Sequence, residues 1–97
     1  MNFESLTNYY EHLVYEYVTS QLTAKYADED EEFFLDVACY ALSRLPPRYI
    51  RHEVDMMYYL GQKERAEMDK EVELQVTAAA SFIKGREKNN QLHYQIA

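Results

Sequence analysis

The sequence predicts an all-α fold: a small single domain, residues 1–97, of about four helices with one central buried helix. Three observations predict it. Only two Gly and two Pro occur in 97 residues, too few for a β-sandwich, which turns about every 8–12 residues. The hydrophobic fraction is 47%, with ten Tyr and four Phe, far too apolar for a disordered chain. The apolar residues recur at helical spacing. A chain this short buries only about 60–65% of the surface its unfolded form exposes. Its core is thin, and gaining a partner subunit is a common remedy.

The first helix is expected over about Ser5 to Tyr26. At about 100° per residue, Leu6, Tyr9, Tyr10, Leu13, Val14, Tyr17, Val18 and Leu22 share an arc of roughly 220°, wider than the ~100° stripe that meets one core. A helix apolar over so wide an arc touches two surfaces, the second of which is expected to be another subunit. The alternative is that the Tyr hydroxyls reach water at the edges.

Asp28-Glu29-Asp30-Glu31-Glu32 then breaks the pattern. Acids oppose the positive end of the helix macrodipole, so a new helix should start here. A calcium loop opening at Asp28 needs Gly sixth and Glu twelfth, where this chain has Phe33 and Cys39. From Phe33 to Leu45 the helix is apolar nearly all round, with Asp36 and Ser43 as its polar strip, so it is read as the central, buried one. Cys39 is accordingly read as a small buried apolar residue.

Pro46 and Pro47 end that helix. Arg48 to His52 follows as a stiff extended strap, then a short helix over about Glu53 to Leu60, capped by Gly61. The last helix is expected over about Gln62 to Lys84, with Met68, Val72, Val76, Ala79, Ala80 and Ile83 as its core stripe. Gly85 should close it, with Lys84, Arg86 and Lys88 suiting its negative end. Residues 89–97 are polar and expected to fray.

The formal charge is −7, unevenly spread. Residues 1–39 carry nine acids and one base, Lys25. Arg44, Arg48, Arg51, Lys63 and Arg65 cluster in the following stretch. Such a chain repels phosphate overall, so no direct duplex DNA binding is expected, though a compact basic spot survives. Cys39 is the only cysteine, so no intramolecular disulfide and no thiolate metal cluster can form. Met1 to Leu6 lacks a signal pattern and no apolar run is long enough for a span. A cytoplasmic protein without membrane insertion is expected.

Catalysis finds little support. There is no Gly-rich phosphate loop, the three histidines His12, His52 and His93 lie in different elements without metal spacing, and no Ser or Cys sits in a nucleophile elbow. No enzyme, no metal and no cofactor are expected. One segment is chemically concentrated: Leu42-Ser43-Arg44-Leu45-Pro46-Pro47-Arg48-Tyr49 sets two guanidinium groups and a phenol around a rigid turn. Arg binds phosphate in a bidentate manner and stacks on flat rings, and a stiff backbone lowers the ordering cost of presenting it. An ordinary helix stop with exposed Arg is the other reading.

Asn8…Glu11…Val14, then Asp36-Val37-Ala38, and Ala41-Leu42-x-Arg44-Leu45-Pro46-Pro47-Arg48-Tyr49 together resemble the late-competence development protein ComFB family. The likeness is good over residues 6 to 60. It implies a small helical homodimer encoded among late genes of natural transformation, beside a DNA-uptake ATPase. It also implies a receptor for a cyclic dinucleotide, cyclic di-GMP or cyclic di-AMP. Many relatives carry cysteines before the Asp-Val of the central helix, suited to zinc; Asp28 to Phe33 has none here, so that metal is not expected. A cyclic dinucleotide is two-fold symmetric and suits the axis of an isologous dimer. Its phosphates would meet Arg44, Arg48 or Arg51 of both chains, with purines on Tyr49 or an Arg. The competing function is a protein–protein adaptor that docks a competence-machinery protein, with no small ligand. A weaker third is a metal protein using Asp28 to Glu32 with His12 or His52.

Overall fold

The computed structural model describes residues 1–51 and 60–96, with side chains described in 1–51 and 60–86. Among these, a 3-10 turn at Phe3–Ser5 leads into a short strand β1, Thr7–Asn8. Asn8 then caps the first helix, its Oδ1 accepting the Tyr10 N–H at 3.2 Å. Helix α1 is regular over Tyr9–Tyr17, widens to a π-helical stretch at Val18–Leu22 and closes as a turn at Thr23–Lys25. The hydroxyls of Thr19, Ser20 and Thr23 donate back to the carbonyls of Tyr15, Glu16 and Thr19 at 2.9, 2.6 and 3.0 Å. Such back-bonding competes with the regular ladder and bends helices. Leu6 lies outside this helix, extended and exposed.

Helix α2, Glu31–Arg44, begins in the acidic run as expected. Asp30 accepts the Phe33 N–H at 3.1 Å, and Glu31 and Glu32 fill the first turn. It ends as Leu45 turns extended before Pro46. The strap beyond is more than a spacer: Tyr49–Ile50 forms β2, antiparallel to β1 with Thr7 opposite Ile50 and Asn8 opposite Tyr49. The fold is therefore mostly helical with a two-stranded ribbon. The short helix expected from Glu53 lies, but for Leu60, outside the described residues.

Helix α3, Gln62–Ile96, runs on past Lys84. Gly85 does not close it and adopts no left-handed conformation; a glycine inside a helix costs only about 1 kcal/mol, which neighbouring turns offset. Gly61 is not left-handed either. It starts α3, its carbonyl accepting the Arg65 N–H at 2.9 Å. Lys84, expected to serve a helix end, instead pairs with Glu29 and ties the α1–α2 connection to α3.

The core forms where α1 and α2 both lie against α3. All six stripe residues of α3, from Met68 to Ile83, are buried, as are Tyr9, Tyr10, Leu13, Val14, Val18 and Leu22 of α1. The wide arc of α1 is thus filled within the single chain by α2 and α3, and gives no argument for a second subunit. Helix α2 is not the buried centre that its composition suggested. It buries Phe33, Val37 and Ala41 and leaves Leu35 at 56% exposure. Cys39 is exposed, not buried, because it sits about 200° round the helix from Val37.

Candidate functional site

Asn8 builds the site. Its Oδ1 also accepts the Arg48 N–H, at 2.9 Å, while the Tyr9 N–H donates to the Arg48 carbonyl at 2.7 Å. One buried side chain, 8% exposed, thereby joins the start of α1 to the residue after the two prolines. The strap is held against the start of α1, and two of its side chains face outward: Arg48 is half exposed and Tyr49 is 66% exposed.

Three guanidinium groups gather near this ribbon. Arg48 reaches Glu64 at the start of α3, with Nη2 3.6 Å from Oε1, a long contact between half-exposed groups that contributes little. Arg51 lines a crevice with Thr7, Tyr9, His12 and Ile50. Arg65, beside Glu64 on α3, lies over the Tyr9 ring at 5.8 Å. Its Nε is buried with no hydrogen-bond partner among the described residues, the nearest Asp69 oxygen being 3.8 Å away. Under this patch, burial raises the pKa of the Tyr10 phenol, Glu71 and Glu64 raise it further, and Arg48 lowers it.

Arg44 does not join them. Its guanidinium rests 4.7 Å from the Tyr40 ring centroid, and Tyr40 stacks on Phe82 at 4.6 Å. Arg44 lines an open groove with Asp36, Cys39, Ser43, Ile83 and Arg86. Along α3, Glu64 and Ile83 are roughly 28 Å apart at 1.5 Å per residue. The expected set therefore divides: Arg48, Tyr49 and Arg51 share the ribbon, and Arg44 belongs to the α2–α3 groove. Sequence reasoning missed Arg65 and the pinning role of Asn8. The only signal for the latter was an Asn directly before an apolar helical run, a capping pattern.

His12 pairs with Glu16 at 3.1 Å. Among the described residues no three His, Cys, Asp or Glu side chains converge as a metal site, and no helix is long and apolar enough to cross a membrane. The arrangement can do one thing chemically without rearrangement: present fixed cations and a phenol ring to a planar or anionic group.

Against known proteins, the family model described as late competence development protein ComFB matches residues 7–87. No curated protein and no solved structure matches.

Proposed function

This chain belongs to the late competence development protein ComFB family and so has a late-competence role, within which we propose that it is a non-enzymatic, dimeric, cytoplasmic receptor for a cyclic dinucleotide. The pinned strap carries the reading. Asn8 fixes the Arg48 backbone at 2.9 Å while leaving the guanidinium and the Tyr49 ring open to solvent. A ligand then meets groups whose backbone is already ordered, which lowers the cost of binding. Arg48 and Arg51 supply charge for a phosphate, Tyr49 supplies a face for a purine, and Arg65 adds a third cation. The remaining acidity of the chain, net −7, discourages long nucleic acids but not one small diphosphate held locally. Calorimetric titration with cyclic di-GMP and with cyclic di-AMP tests the reading. We expect saturable binding of at least one; no heat at 100 μM of either ligand removes it.

One observation favours the adaptor instead. Arg51 also borders Met1, Phe3 and Leu6, all exposed, and apolar side chains around a single cation suit a protein partner. On that reading the strap docks a component of the DNA-uptake machinery, and neither nucleotide binds.

A further inference from the structure

Asp36, Tyr40 and Arg44 recur every four residues and so form one row along α2. Ile83 and Arg86 form the facing row on α3, and the two rows line a groove of about 580 Å³. That volume lies within the range of roughly 300–1,000 Å³ usual for small-molecule sites. Ile83, buried, is the floor, and Arg44 and Arg86 are exposed at the rim.

What the groove lacks is a counter-ion for its arginines. The chain has 17 acids to 10 Lys and Arg, so an exposed Arg has carboxylates to spare, and Arg48 and Arg65 each face one. Among the described residues Arg44 and Arg86 make no ion pair and no side-chain hydrogen bond. Arg44 is held another way. Its guanidinium rests 4.7 Å from the Tyr40 ring centroid, and Tyr40 stacks on Phe82 of α3 at 4.6 Å. A cation–π contact orients the group and uses none of its N–H donors. A carboxylate or phosphate binds such an oriented fork in a bidentate manner. Asp36 lines the same groove and repels a second negative charge. The groove therefore suits a ligand with one anionic group rather than a polyanion.

We propose that the α2–α3 groove is a second binding site, for a small ligand with one carboxylate or phosphate group on an apolar body. The anion lies between Arg44 and Arg86, and the body covers Tyr40 and Ile83. The Arg48 strap takes no part, since its partner Glu64 is roughly 28 Å along α3 from Ile83. The site stands or falls apart from the cyclic-dinucleotide reading.

The test titrates the isotope-labelled full chain with phenyl phosphate and, separately, with benzoate, and follows the NMR signals of Tyr40, Arg44, Ile83 and Arg86. We expect these signals to shift saturably with a dissociation constant of a few millimolar, the scale for a ligand of about ten heavy atoms. Saturation by phenyl phosphate alone assigns the site to phosphate esters, by benzoate alone to carboxylates, and by both to the oxyanion they share. Arg44→Gln and Arg86→Gln should each weaken binding about fivefold or more. Asp36→Asn should tighten it about two- to fivefold, and Arg48→Ala should leave it unchanged. All four side chains are exposed, and an unchanged helical spectrum verifies folding. Signals that do not saturate by about 20 mM of either probe overturn the site. So does affinity that survives both arginine substitutions or falls with Arg48→Ala.

Discussion

The amide oxygen of Asn8 serves two backbone donors, its neighbour Tyr10 and Arg48, forty residues further along the chain. Asn8→Ala leaves both without that acceptor, at about 1–3 kcal/mol for a buried unmet donor. We expect a loss of about 2–3 kcal/mol, which lowers Tm by roughly 8–20 °C in a domain of this size. Asn8→Asp keeps the acceptor and should retain most of the stability. Melting both variants separates the hydrogen bonds from mere loss of volume. Glu64 competes for Arg48 across 3.6 Å. Glu64→Gln should therefore tighten cyclic-dinucleotide binding about two- to fivefold, the scale of an exposed ion pair; unchanged affinity in a titration would detach Arg48 from the ligand. Tyr10 sets a pH dependence. Burial first, then Glu71 and Glu64, raise its pKa, against Arg48. The folded state thus keeps the phenolic proton to higher pH than the unfolded chain, whose pKa is near 10. Its contribution is complete below about pH 10 and falls as pH rises through the raised folded value. Tyr10→Phe should flatten the decline of Tm above about pH 10.

At the scale of elements, Leu45 closes α2 and is buried directly before Pro46. Leu45→Ala should cost about 2–5 kcal/mol, a large share of the 5–15 kcal/mol typical of a domain. Denaturant melts should show a midpoint lowered to match, with or without ligand. Much of this level was legible. The α3 stripe could be read because six apolar residues keep one helical period, and the α2 start because Asp30, Glu31 and Glu32 sit where a cap and a dipole want acids. The ribbon was not legible, because two-residue strands carry no alternation to detect. Neither was the π stretch of α1, where three hydroxyls bond back to their own helix. Gly85 misled because a stop signal acts only where the following chain has no reason to stay helical. Of the site, the Arg and Tyr types on a stiff turn were readable. Their division between two surfaces was not, since it depends on where α2 crosses α3.

For the molecule as a whole, the short chain and the wide apolar arc of the first helix suggested a partner, and the structure fills that arc with α2 and α3. No thiolate or multi-histidine site holds the described residues together, so EDTA should leave helical signal and Tm unchanged; loss of signal regained with zinc would contradict this. The central claim is that the strap presents Arg48 to a phosphate without relying on it for stability. It is tested most directly by titrating wild type and Arg48→Ala with the same cyclic dinucleotide and melting both. We expect binding weakened roughly ten- to a hundredfold, about 1.5–3 kcal/mol for a lost charged hydrogen bond, with stability moved by no more than about 1 kcal/mol. Equal affinities, or an Arg48→Ala protein that melts well below wild type, would make the strap a structural element and contradict it.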